Sequence, residues 1–249
     1  MVTYRGLVGG YREFAPPAGL ASVASCLWEN HSAGPHAQRI IPDGCVDLVW
    51  MREELVLVGA DTGPVLYLPA EGEEPVSGIR LRPGAAGAVL GISASEVRDA
   101  RGPAVAVWPE LAPAVGEALA LAEPTRRLDL LARAVLQRRG ERDVLVAAAA
   151  HRLALPTMNV STVAAELGVS ERHLHRRTVA AVGYGPKMLE RVARLRRLMA
   201  LSGRPRPLPL AQRAAVAGYA SQSHMSDDVR RLTGLTPVRF LEDASLTAA

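Results

Sequence analysis

Cys45 sits between two carboxylates in the run Asp43-Gly44-Cys45-Val46-Asp47, with Trp50 three residues beyond. A cysteine does nucleophilic or metal chemistry as its thiolate, which needs nearby cations or a metal. Asp43 and Asp47 act in the opposite sense and raise the thiol pKa. Three readings compete. One is a core cysteine between two turn-forming aspartates. Another is a ligand pocket lined by Trp28, Asp47, Trp50 and Tyr67. The third is a reactive or zinc-bound thiol completed by His31 or His36. No Cys-x-x-Cys or His-Glu-x-x-His accompanies those histidines, so no metal and no cofactor is expected. In a strand Asp43, Cys45 and Asp47 share one face, and Val46 and Leu48 are divided between the faces.

The second group of chemically capable residues lies in a repeat. Ala164-Ala165-Glu166-Leu167-Gly168-Val169-Ser170 matches Ala214-Ala215-Val216-Ala217-Gly218-Tyr219-Ala220 fifty residues later. The second copy then gains one residue, so Ser170 answers to Ser221, Leu174 to Met225, Gly183 to Gly234 and Pro186 to Pro237. Each copy spells a short helix, a glycine turn, a capping serine, a second helix and a Gly-x-x-Pro ending. Leu174 and Thr178, or Met225, Val229 and Leu232, point inward and leave the opposite face polar. This is the helix-turn-helix layout, in which the second helix enters the major groove. Between the copies, 186–201 reads as a linker helix with a stripe of Met188, Val192, Leu195 and Met199. Arg191, Arg194, Arg196 and Arg197 cover its other faces. Sixteen helical residues span about 24 Å, which with the flanking modules can set two recognition helices about one turn of DNA apart.

Charge agrees with that division. The chain has 249 residues and a net charge of +4. Residues 1–140 hold thirteen arginines against sixteen carboxylates, net −3, whereas 141–249 hold sixteen cations against nine carboxylates, net +7. A basic rear half suits nucleic acid. With 49% apolar residues the chain can bury real cores. No run of about 18 apolar residues offers a membrane span, and no secretory signal is visible. A cytoplasmic, nucleoid-associated protein is expected.

In the front half residues 38–82 read as short strands, with helices after them. Val46–Met51 and Leu55–Val58 form a hairpin over Arg52-Glu53-Glu54, and Val65–Leu68 and Ile79–Arg82 continue the pattern. Ser95–Ala100 reads as a short capped helix, and Pro109–Leu121 and Arg126–Arg138 as longer ones. The predicted fold is α+β: a strand-rich sensing or dimerisation domain at 1–140, then an all-α domain at 141–249. The latter holds helix-turn-helix modules at about 162–182 and 209–233.

Residues 141–243 resemble the DNA-binding domain of AraC-type bacterial transcription regulators. The resemblance rests on VAAELGVSERHLHRR, Gly183-x-x-Pro186, Arg191-x-x-Arg194 and GYASQSHMSDDVRRLTGLTPVRF. IPDGCVDLVW, LRPGAAGAVLG and ASEVRDA resemble the front domain of short regulators in that family. The resemblance implies a non-enzymatic, sequence-specific DNA-binding activator or repressor. Its partners are double-stranded DNA and a small-molecule effector, with RNA polymerase and a second copy of the chain as open further partners. It places base-contacting groups at Arg172, His175 and Arg176. The two arginines suit guanine O6 and N7. In the second module it presents Gln222, suited to adenine, with Ser223, Ser226 and Asp227. His173 is assigned to packing or phosphate, and His224 to packing. This chain departs from the family at Asp227, where many members carry Arg, and at Thr178 and Val229, where many carry an aromatic residue. The pair Asp227-Asp228 is expected to repel phosphate and leave affinity to the first module. The alternative implied by relatives of this domain is a cysteine-dependent DNA alkylation-repair protein using Cys45 or Cys26.

Overall fold

A computed structural model describes residues 10–31, 37–68, 75–138, 140–201, 208–242 and 246–248. Among these, six antiparallel strands form the main sheet: β1 (Gly10–Phe14), β2 (Ala24–His31), β4 (Val46–Met51), β5 (Glu54–Val58), β7 (Val76–Leu81) and β8 (Arg101–Pro103). Their order is β1-β2-β7-β4-β5-β8. A smaller sheet has β3 (Gln38–Ile41) at its centre, antiparallel to β6 (Val65–Tyr67) and parallel to β9 (Leu246–Ala248).

Period-two alternation gives the main sheet two different faces. Leu48, Trp50, Leu55, Leu57, Ile79 and Leu81 are buried in one apolar core, whereas Asp47, Val49, Met51, Val56, Val58 and Arg80 line a cavity on the other side. The hairpin between β4 and β5 closes on Met51↔Glu54. Arg52 and Glu53 both sit at positive φ, 50° and 58°, as a two-residue turn matching strand twist requires.

Helices cover the core face. They are α1 (Ala86–Leu90), α2 (Ala112–Ala120) and α3 (Pro124–Arg138), and α3 packs on β2 and β7. The rear half follows as α4 (Val144–Leu153), α5 (Val160–Glu166), α6 (Glu171–Val182), α7 (Pro186–Met199), α8 (Leu210–Ala217), α9 (Gln222–Thr233) and α10 (Pro237–Glu242). One apolar core runs without a break from Leu20 in the front to Leu189 on α7. A second gathers Leu195, Leu198, Ala214, Met225, Val229, Leu232 and Phe240, together with Ile41 from β3. The two cores therefore meet on α7, with the first helix-turn-helix module packed against the front sheet's helices.

Several local expectations change. Strands β1 and β2 precede residue 38, and β8 follows residue 82. The short helix near residue 95 is a 3-10 turn at Ala94–Val97 capped by Ser93, whose hydroxyl is paired with a reciprocal Glu96 contact. Val46 and Leu48 are not divided: both face the core, because residues two apart in a strand share a face.

Candidate functional site

The first recognition helix, α6, starts where the Ser170 hydroxyl accepts from the His173 amide at 3.2 Å, and it stops at Gly183, in the left-handed region at φ 104°. Leu174 and Thr178 are fully buried, and Thr178 donates its hydroxyl to the Leu174 carbonyl at 2.7 Å. The place where the family carries an aromatic residue is thus a core position. The opposite face exposes Arg172, His175 and Arg176. The Arg172 side chain makes no hydrogen bond or ion pair with any described residue. Among the described residues Arg176 reaches only the His173 ring nitrogen Nδ1, at 3.5 Å. The His175 ring lies against Gly185, where a Cβ would sit 2.7 Å from it. Gly185 thereby sets the direction of this imidazole at the turn into α7.

The second recognition helix, α9, repeats the construction. The Ser221 hydroxyl accepts from the His224 amide at 3.1 Å, and Met225, Val229 and Leu232 are fully buried. Gln222, Ser223, Ser226, Asp227 and Arg230 line one concave polar surface. The expectation of an acidic pair facing DNA needs correction. Asp227 is 80% exposed, but the Asp228 side chain is 7% exposed. Its carboxylate bonds Arg194 at 3.0 Å and lies 3.3 Å from Arg191, both on α7. Adjacent helical residues point about 100° apart, so one acid faces outward and the other inward. Arg194 is buried as well: it is bonded to Glu190 and lies over the Tyr219 ring at 5.3 Å. Arg197 donates to the carbonyls of Leu153, Ala154 and Ala217 at 3.2, 2.8 and 2.9 Å, tying the C-terminal ends of α4 and α8 to the linker helix. With Arg196 Nη2 lying 3.9 Å from Asp43, all four of the linker's arginines have structural partners rather than forming a solvated basic face. His224 packs edge-on against Tyr219 with centroids 5.4 Å apart.

The cavity between the two front sheets measures about 410 Å³. Trp28, Asp47 and Tyr67 line it together. Trp50 does not. It is buried on the core face, since it stands an odd number of residues from Asp47 and the pleat turns it to the other side. Tyr11, Val49, Met51 and Arg80 line the cavity and were not singled out from the sequence. Their only sequence signal is strand alternation. The Trp28 indole lies across Gly78, its direct cross-strand partner, and stacks obliquely on Tyr11 with centroids 5.9 Å apart.

At the cavity floor Arg80 bonds Asp47 through Nε and Nη2, at 3.3–3.4 Å. The same guanidinium lies 3.7 Å from Asp43 and 3.5 Å from Glu13. One cation shared among three carboxylates does not offset full burial, and the Asp47 carboxyl is pushed up to about 6 by desolvation. Asp43 Oδ1 accepts from the Cys45 amide at 2.8 Å, so Asp43 is the turn former the first reading described. Burial pushes the Cys26 thiol up to about 12. It also raises Cys45 well above its ordinary value, with Asp43 adding to the effect. Among the described residues no group of three His, Cys, Asp or Glu side chains is placed to hold a metal ion. His31 lies 3.4 Å from Glu29, and His36 lies outside the described residues. No helix among the described residues is long and apolar enough to cross a membrane.

Residues 12–103 match the family described as Domain of unknown function (DUF6597), and residues 163–243 match the family described as Helix-turn-helix domain. No curated protein matches significantly. Among solved structures, ToxT from Vibrio cholerae O395 is 12% identical, with a TM-score of 0.42 over 87% of this chain and 98% of that one. The same protein bound to (E)-4-(8-methylnaphthalen-1-yl)but-3-enoic acid is 12% identical, with a TM-score of 0.42 over 94% and 97%. Unsaturated fatty acid bound wild-type ToxT from Vibrio cholerae strain SCE256 is 11% identical, with a TM-score of 0.40 over 82% and 93%.

Proposed function

We propose that this chain is an AraC-type DNA-binding transcription regulator that reads a specific operator through both modules and is controlled by a small molecule in its front cavity, a reading supported by the match of residues 163–243 to the family described as Helix-turn-helix domain. The unit at 141–249 is the reader and the unit at 1–140 is the sensor. On α6, Arg172 and Arg176 bond guanine edges and His175 adds one further hydrogen bond. On α9, Gln222, Ser223 and Ser226 read the next groove. Asp227 opposes phosphate there, so the first module supplies most of the affinity. The observation that carries this reading is Arg172. It is a long cation on the exposed face of a helix whose opposite face is buried, and no other described residue engages it.

A mobility shift on fragments from upstream of the protein's own coding region, at two salt concentrations, tests the reader. A discrete, salt-sensitive complex lost in an Arg172→Ala, Arg176→Ala double variant supports it. Failure of purified protein to select any preferred site from whole-genome fragments rejects it.

The sensor reading rests on the cavity's chemistry. Apolar walls with a few convergent polar groups are what small-molecule sites present, and 410 Å³ is ample for a ligand of modest size. A thermal-shift screen tests it. A true ligand at one hundred times its Kd stabilises the fold by about 2.7 kcal/mol, and Val49→Trp, which fills the cavity, abolishes the shift.

A further inference from the structure

Strand β3 has a different neighbour on each face. Gln38 and Ile40 line the cavity. The residues between and beyond them, Arg39 and Ile41, face the second helix-turn-helix module. Arg39 Nη1 donates to the Thr233 carbonyl at 3.1 Å, at the last residue of α9. Ile41 is 1% exposed and belongs to the same apolar core as Met225, Val229 and Leu232 of α9. One four-residue strand is therefore at once a wall of the cavity and a support of the second recognition helix.

We propose that β3 transmits occupancy of the cavity to α9, so that a ligand pressing on Gln38 and Ile40 moves Arg39 and Ile41 and resets the second recognition helix relative to the first. This rests on the cavity being an effector site. The chemistry is steric and needs no particular polar group on the ligand. Any occupant large enough to touch both sheets loads the smaller one. In a strand, side chains on opposite faces are carried by one backbone, so β3 cannot shift at Ile40 without carrying its two neighbours. The hydrogen bond from Arg39 falls on a carbonyl at the C-terminus of α9, where helix carbonyls lack intrahelical partners and a cation is favoured. Displacing Arg39 frees that turn. The second module is thus the regulated one, and α6, packed on the helices behind the main sheet, keeps its place.

The test uses the full chain and the fluorophore 1-anilinonaphthalene-8-sulfonate as cavity occupant. Fluorescence titration of the protein and of Val49→Trp establishes whether the dye sits in the cavity. Hydrogen exchange is then followed in 222–233 and 171–182, with and without dye. The expected result is an at least twofold change in exchange at the C-terminal turn of α9 and none in α6. Arg39→Ala should lose that change while dye affinity stays within about twofold, because Arg39 does not line the cavity. Ile41→Val, a milder change in the core, should weaken it. If the dye binds in the cavity but α9 does not respond, or responds equally in Arg39→Ala and Ile41→Val, the transmission proposal is overturned and the sensor reading stands. If the dye does not bind, or binds Val49→Trp equally well, the sensor reading falls and the transmission proposal falls with it.

Discussion

Arg194 Nη2 and Asp228 Oδ2 lie 3.0 Å apart, thirty-four residues distant in sequence, with both side chains less than a tenth exposed. The linker helix thereby holds the second recognition helix by a buried ion pair, reinforced by Arg191 on the other carboxylate oxygen. Removing Asp228 takes one of two carboxylates from the buried Arg194, which keeps Glu190 but is left with unmet guanidinium donors, at a cost of about 1–3 kcal/mol. Asp228→Ala should therefore lower stability by about that amount in urea titrations. Its neighbour should behave in the opposite way. Asp227→Ala removes an exposed acid and should change stability by no more than about 0.5 kcal/mol. It should also strengthen DNA binding severalfold at low salt, because a repulsion toward phosphate is gone. A stability loss in Asp227→Ala equal to that in Asp228→Ala would contradict the assignment of inward and outward acids.

The contrast between these two residues shows why parts of the site were illegible in the sequence. Two consecutive aspartates look alike on paper, and only the register of α9 against α7 separates them. The repeat, the capping serines and the inward Leu174, Met225 and Val229 were legible because they depend on local spacing alone. So was the β4–β5 hairpin, since two apolar runs around a charged connection are a local signal, although Glu54, read as part of the connection, is the first residue of β5 and pairs with Met51. Strand β1 was not, because four of its five residues are exposed and no buried stripe marks it. The cavity was half legible. Trp28, Asp47 and Tyr67 meet there only through the pairing of separate strands, and Trp50 was misplaced by a single step of parity. Arg80 pairs with Asp47 across β4 and β7, a register that no short-range pattern carries.

The cysteines should be inert. With its pKa pushed up to about 12, Cys26 has on the order of one thiol in ten thousand ionised at pH 8. Burial and Asp43 hold Cys45 in the same direction. Iodoacetamide at pH 8 should label both more than about 100-fold slower than free cysteine in the folded protein, and both readily in guanidinium, as followed by mass spectrometry. Rapid labelling of either in the native state would bring the alkyl-acceptor reading back.

Asp47 should leave a signature in the pH dependence of stability. Its carboxyl titrates at 3.8 when unfolded and at about 6 when folded. A raised folded value means that the native state holds the proton more tightly. This group's stabilising contribution is thus complete below about pH 4 and is lost as the pH rises to about 6. Relative to Asp47→Asn, which cannot titrate there, the unmodified protein should lose up to about 1.4 kcal/mol per pH unit across that window. Urea midpoints at half-unit steps measure it. A gain in stability of the unmodified protein relative to Asp47→Asn as the pH rises would mean that Arg80 outweighs burial.

Gly78 and Trp28 form the most exacting contact in the cavity wall. They are cross-strand partners, and a Cβ on Gly78 would lie 2.3 Å from Trp28 Cε2 and 2.4 Å from Cζ2. No side chain fits under the indole without pushing it off the strand. Gly78→Ala should cost about 1–3 kcal/mol by overpacking and should weaken binding of any cavity ligand, since the displaced ring moves into the space or opens its wall. Glycine is itself a poor strand residue, so once the indole is gone the alanine should be neutral or mildly stabilising. The double-mutant cycle of Gly78→Ala with Trp28→Ala is therefore expected to be strongly non-additive. Its coupling should be about 1–3 kcal/mol, the two together costing less than their sum. An additive cycle would mean that the indole does not rest on Gly78, and that the wall of the cavity is built differently.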